Sequence, residues 1–302
     1  MASAAAPTPP RTISLGAVKR KNLLEFARVL WKNHQSRLGL VILGVFVAMA
    51  ALGPVLLQQP PMDYLNRYAM PSLQHPLGTD YSGRDTLVQL ILGAQGVLLV
   101  ALFAAIFTVA FAMFIGLFSG FIGGKVDMVL IFLADVVLTV PSFPVTLVLA
   151  TMIRVRDPVS FGLILSIWSW AGLAKAIRTQ VLSVKHQDFV EASRLMGIST
   201  VNIVTHDILP NVLSFLAVNF ITIMKGSILA SVGLMYLGLV EFQGNHWAIM
   251  ITFALTRTGM ILGNVAGLIY FLAPTVGLLL FQFGCLMLSN GLDEAFNPRL
   301  RG

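Results

Sequence analysis

Long apolar runs recur six times along this chain, at roughly 38–57, 92–118, 127–152, 160–176, 211–239 and 260–288. About 20 helical residues cross the hydrocarbon core of a bilayer, so each run predicts a membrane-crossing helix. Polar stretches separate them. Residues 58–85 carry Pro60, Pro61, Pro71 and Pro76 as helix breakers and predict a loop. Residues 22–35 place Leu23, Phe26, Leu30 and Trp31 on one helical face with basic flanks, which suits a helix lying on the membrane surface. Residues 1–12, rich in Ala and Pro, predict a disordered tail with no cleavage-site pattern after it.

Composition agrees with the pattern. Of 302 residues, 57% are apolar and 11% charged, against roughly a quarter charged in a soluble domain. The +7 net charge orients the spans rather than pointing to nucleic acid. With both termini cytoplasmic, fourteen basic residues fall inside: Arg11, Lys19, Arg20, Lys21, Arg28, Lys32, Arg37, Lys125, Lys175, Arg178, Lys185, Arg194, Arg299 and Arg301. Five fall outside: Arg67, Arg84, Arg154, Arg156 and Arg257. Cytoplasmic segments collect such charge.

Several kinds of chemistry are excluded. The phosphate-binding pattern G-x-x-x-x-G-K-S/T is missing, since Gly124-Lys125 is followed by Val126; the chain has no usual way to bind ATP. The single Cys285 allows no internal disulfide, and the five histidines are scattered over separate segments. No metal site, cofactor or catalytic residue is expected.

The most informative stretch is 175–210. Gln187 to Met196 reads as a short helix with Phe189, Ala192 and Met196 near one face. Gly197 supplies a left-handed turn, Ser199 caps a second short helix, and Pro210 is expected to stop it. The result is a compact knob over 186–210, projecting from the membrane for a soluble partner to grip.

Polar groups inside spans are costly and point to function by default. Asp135 lies about 12 Å deeper than Asp127, and Lys225 about 22 Å along the fifth span from Pro210. Asp135 reads as structural. Lys225 either meets a substrate carboxylate, pairs with an acidic group (Asp135 or one from another subunit), or faces a water-filled vestibule. With Asn219, these are the candidate pathway residues. Gly116, Gly120 and Gly124 recur every four residues and read as a close-packing stripe.

At the knob the sequence resembles the membrane subunits of ABC importers, whose pattern Glu-Ala-Ala, three residues, Gly, nine residues, Ile, one residue, Leu-Pro reads here Glu191-Ala192-Ser193, Gly197, Asp207, then Ile208 and Leu209-Pro210. Ser193 stands for Ala and Asp207 for Ile. Three further stretches are similar to the second membrane subunit of dipeptide and oligopeptide importers: His75 to Asp80 through Arg84-Asp85 to Gly93-Ala94; Gly123 to Asp127, then Ala134-Asp135-Val136 and Val140-Pro141-Ser142; and Gly291-Leu292 with Asn297 to Arg301. Gln95 and Lys225 depart from the pattern.

This resemblance implies an all-α membrane fold of the type-I importer class, six helices in a prokaryotic plasma membrane, and no enzymatic activity in the chain itself. It divides the chain into a tail (1–21), an interfacial helix with the first span and outer loop (22–85), a five-helix core (86–292) and a cytoplasmic tail (293–302). Partners would be a homologous membrane subunit, two ATP-binding subunits and an extracytoplasmic binding protein. The ATPases would engage Phe189, Val190, Glu191, Ala192, Ser193, Met196, Gly197, Leu209 and Pro210. Peptides are the implied substrate, with nickel or oligosaccharide as alternatives. A secondary transporter, the reading from another class, would need an ion-coupling site and usually repeat symmetry.

Overall fold

The computed structural model describes residues 28–296 apart from 154, 239, 241, 243 and 258–263. The expected tail 1–21, the Leu23 and Phe26 part of the surface helix, and the family-like stretch Asn297 to Arg301 lie outside the described residues. Nine helices are labelled here: α1 (His34–Leu56), α2 (Thr86–Ile122), α3 (Gly124–Thr139), α4 (Ser142–Met152), α5 (Pro158–Lys185), α6 (Asp188–Leu195), α7 (Thr200–Tyr236), α8 (Trp247–Arg257) and α9 (Val265–Phe296). Residues 28–32 form one further helical turn ahead of α1.

Five of these are long and apolar enough to cross a membrane, and the bent pair α3–α4 makes a sixth. The sequence reading of 127–152 as one straight span is corrected here. The chain breaks at Val140-Pro141 and turns through 87°. Proline lacks an N–H and pushes the preceding residue to extended geometry; Val140 is extended, with φ −86° and ψ 128°.

Helix starts follow local chemistry. Asp85 Oδ1 accepts from the Val88 N–H at 2.8 Å and starts α2. Asp157 accepts from Val159 and Ser160 N–H groups, both at 2.9 Å, with Pro158 at the first position of α5. Both satisfy donors that a helix start leaves free.

The 37-residue α2 is the central post, packed by α1, α5 and α7. Its small-residue face allows this. A Cβ on Gly116 would lie 2.7 Å from the Ala174 carbonyl of α5, and one on Gly120 would lie 2.9 Å from Val181. The stripe ends there: Gly124 faces nothing within 4 Å. At one end of the bundle, Phe46 of α1 meets Trp247 and Phe281 edge-on, at 5.4 and 5.7 Å. At the other, Val190, Ile203 and Ile208 join α2, α5 and α7 in a shared apolar core.

Candidate functional site

The knob is built on a glycine turn. Helix α6 is short because Gly197 takes φ +74°. The Ile198 N–H then donates to the Ser193 carbonyl at 3.1 Å, and the Gly197 N–H to the Arg194 carbonyl at 3.0 Å. This pair of bonds is a Schellman motif, which satisfies the last carbonyls of a helix. No atom lies within 4 Å of where a Cβ on Gly197 would sit, so backbone conformation rather than space demands glycine there.

One expectation is corrected. Pro210 does not stop the second knob helix. The chain continues from Thr200 through Tyr236 as a single helix, widened by a π-turn over Ile203–Ile208. The Leu209 N–H reaches back to the Val204 carbonyl, and the Asn211 amide donates to the Asp207 carbonyl at 2.7 Å. A proline ring would otherwise strike the carbonyl four residues back, and the wider turn relieves this. The knob is therefore the tip of a long rod.

The two faces of the knob differ. Val190 is fully buried and Ser193 nearly so, rooting α6 in the bundle. Phe189, Glu191, Ala192, Leu195 and Met196 are exposed, Leu195 at 90%. Val201 and Pro210 are exposed and Leu209 is half-buried. The Glu191 side chain makes no hydrogen bond or ion pair among the described residues. Apolar Phe189, Leu195, Met196 and Val201 are thus exposed beside the charged Asp188, Glu191 and Arg194.

Charges brace the knob. Lys185 Nζ donates to the Phe121 carbonyl at 2.5 Å and to that of Gly120 at 3.4 Å. These are C-terminal carbonyls of α2, where a cation is favoured. The Arg194 guanidinium lies 5.7 Å over the Phe121 ring. Beside it, Arg178 makes two bonds of 2.5 Å to Asp127, which also accepts from Ser119 at 2.5 Å. Sequence reasoning missed this clamp, because its partners stand 51 residues apart.

The pathway candidates are not brought together. Asp135 pairs with Lys175 of α5 at 2.5 Å, so the expected option of a Lys225–Asp135 pair is wrong: α3 packs on α5, not on α7 at that level. Lys225 is half-buried and has no acidic partner among the described residues. Its backbone carbonyl accepts from Gln282 of α9 at 2.9 Å. The Asn219 amide donates to Phe215 in its own helix at 2.9 Å, leaving its oxygen as an acceptor. Lys175 and Arg178, counted among the cytoplasmic basic residues, lie inside α5.

Apolar spanning helices with one projecting, braced loop define a multi-pass membrane protein. A family model described as the binding-protein-dependent transport system inner membrane component matches residues 112–302. The chain is 33% identical over 291 residues to the oligopeptide transport system permease protein OppC of Escherichia coli (strain K12), covering 94% of each. It is 28% identical over 293 residues to the dipeptide transport system permease protein DppC of Bacillus subtilis (strain 168), covering 94% of this chain and 89% of that one. With the metal-staphylopine import system permease protein CntC of Staphylococcus aureus (strain NCTC 8325 / PS 47) it shares 33% identity over 265 residues, covering 87% and 89%. The chain belongs to the family of binding-protein-dependent transport system inner membrane components, the permease subunits of ABC importers. It is a multi-pass protein of the bacterial inner membrane.

Proposed function

We propose that this chain forms half of the translocation pathway of an ATP-driven peptide importer, with a homologous membrane subunit forming the other half. An extracytoplasmic binding protein delivers the peptide, and two partner subunits hydrolyse the ATP. The knob over 186–210 is the surface those ATPases engage, and both chain ends lie in the cytoplasm. The observation that carries this is mechanical. The knob is continuous with a 37-residue helix, Thr200–Tyr236, and is rooted by Val190, Ile203 and Ile208 against α2 and α5.

Closure of an ATPase dimer on the exposed Phe189, Leu195 and Met196 would swing α7 as a rod. The bundle then moves between inward- and outward-facing states. ATP and substrate shift that balance only through their different affinities for the two states. The Asp127–Arg178 clamp ties α3 to α5 during this motion.

A second reading, import of a metal chelate, is favoured by the metal-staphylopine permease at 33% identity. Mass spectrometry of ligands co-purified with the intact importer separates the two. A peptide supports the main reading, and a metal chelate with no peptide overturns it.

A further inference from the structure

Where the span breaks at Pro141, a pocket of about 170 Å³ opens between α4, α5 and α7. Its walls carry no charged side chain: five hydroxyls, of Ser142, Thr146, Ser169, Thr222 and Ser227, are set among the rings of Phe143 and Trp168 and the aliphatic Leu165, Ile223, Ala230 and Leu234. Thr222 and Gly226 bracket Lys225 in sequence, so the pocket sits at the same level of α7 as that lysine. Thr222, Gly226 and Phe143 are exposed, so it opens on a face that this chain does not cover. Thr146 and Ser227 form its buried floor.

The hydrogen-bonding character of the walls is decided by the helices. Thr146 donates to the Ser142 carbonyl at 2.7 Å, Ser169 to Leu165 at 2.8 Å, Thr222 to Val218 at 3.1 Å and Ser227 to Ile223 at 2.8 Å. Four hydroxyl protons are thus committed within their own helices, and each oxygen keeps lone pairs to offer. The Trp168 indole N–H is likewise engaged, donating to the Val140 carbonyl at 3.3 Å. Donors come from the backbone instead. Helix α4 begins at Ser142 behind Pro141 with no side-chain cap, which leaves the Ser142 and Phe143 N–H groups without helical partners, Pro144 having none. Uncharged acceptors and uncharged donors therefore border a space of about 170 Å³.

We propose that this pocket is a peptide-backbone subsite of the pathway, which takes a main-chain amide of the passing substrate through the hydroxyl oxygens of Thr146, Thr222 and Ser227. This rests on the peptide reading above. A peptide crossing mid-membrane leaves water, and each of its amides left unpaired there costs about 2–7 kcal/mol. A subsite that pairs amides while ignoring side-chain charge lowers that barrier equally for many sequences. Opposite charges on the walls would instead select among peptides, and the pocket has none.

The test uses the whole importer in liposomes, with wild-type chain or with Thr146→Val and Ser227→Ala together. The removed hydroxyls leave no acceptor orphaned, because the carbonyls they donated to retain their helical partners. The probes are trialanine, Ala-Lys-Ala, Ala-Glu-Ala, and trialanine methylated on the peptide nitrogen of its central residue. We expect uptake of the three unmethylated peptides to fall by one common factor of about tenfold, the loss of one to two hydrogen bonds. Uptake of the methylated peptide stays level, so wild-type discrimination against it collapses. Thr146→Ser, which keeps the hydroxyl, behaves as wild type. Thr222→Val, at an exposed position, gives the same selective loss at about threefold even if the double variant assembles poorly. Unchanged discrimination, or losses that differ with side-chain charge, overturn the subsite and leave the peptide reading standing. Wild-type vesicles that accumulate none of the peptides overturn that reading and the subsite with it.

Discussion

The two ends of this bundle solve opposite problems. The segment between α1 and α2, residues 57–85, has almost no regular structure yet is fixed by a buried carboxylate. Asp80, 1% exposed, accepts from the Ser82 N–H and hydroxyl at 2.8 Å each and from the Arg84 N–H at 2.9 Å. Its other oxygen accepts from the Gln89 amide at 3.0 Å, and Gln89 in turn receives the Tyr270 hydroxyl at 3.3 Å. That chain of bonds ties the loop to α2 and α9. The knob at the other end has the reverse construction. Its side chains point outward, its shape rests on one glycine turn, and its root is apolar. A polar hub fixes one geometry, because every member must be satisfied together. The knob instead adjoins the start of a continuous helix and is rooted by apolar burial.

Labelling gives the sharpest break in this comparison. Cysteines placed at Ser72 and Asn245 should react with an impermeant reagent outside intact cells, and one at Ser199 should not. The expected difference is all-or-none, and labelling of Ser199 would overturn the orientation and the ATPase contact with it.

Removing the hub comes next in size. Asp80→Ala strands several buried donors, at roughly 1–3 kcal/mol each, and should destabilise the subunit by about 3–5 kcal/mol. Unfolding of the purified importer in graded detergent denaturant measures it. A change below about 1 kcal/mol would mean that water already serves these donors.

At the knob, Gly197→Val places a β-branched residue at φ +74°, at a local cost of about 1–2 kcal/mol. The subunit should still insert and fold, since nothing crowds that position. Tilting α6 should abolish binding-protein-stimulated ATP hydrolysis in liposomes, whereas Glu191→Ala reduces coupling only in part. Full stimulation by Gly197→Val would show that this loop does not transmit the stroke.

Lys225→Met should leave assembly intact, because no acidic group pairs with it among the described residues. If Lys225 meets substrate, uptake should fall about tenfold, the scale of one charge-assisted hydrogen bond. Loss of assembly instead would point to a partner on another subunit.

The smallest effect concerns His246, at the hub end. Burial pushes its imidazole down to about 3, and its Nδ1 accepts from the Ala248 N–H at 3.1 Å, which only the unprotonated nitrogen can do. The unfolded chain takes up the proton near the ordinary histidine value of 6.5, so this contribution to stability is complete above that pH. It is lost as pH falls from about 6.5 toward 3. Between pH 6.5 and 5.5 the wild type should lose about 1 kcal/mol more than His246→Gln. Equal losses would mean that the ring is hydrated.

Much was legible in the sequence because it is written locally. Hydrophobic runs require only length, and the turn at Gly197 requires only a residue tolerant of positive φ. Basic residues before α1 and around the knob predicted an orientation without any contact. The caps Asp85 and Asp157-Pro158 rest on the same local chemistry, although the sequence reading did not single them out. Tertiary structure decided what depends on partners far apart in the chain. It alone paired Asp135 with Lys175 and Asp127 with Arg178, gathered Tyr270 to Gln89 across 181 residues, and set the 87° bend that opens the hydroxyl pocket. Pro210 shows the boundary between the two. Its ring forbids a regular α-turn, but whether the helix stops or widens depends on Ile203 and Ile208 being buried against α2 and α5, and apolar burial there kept the rod whole.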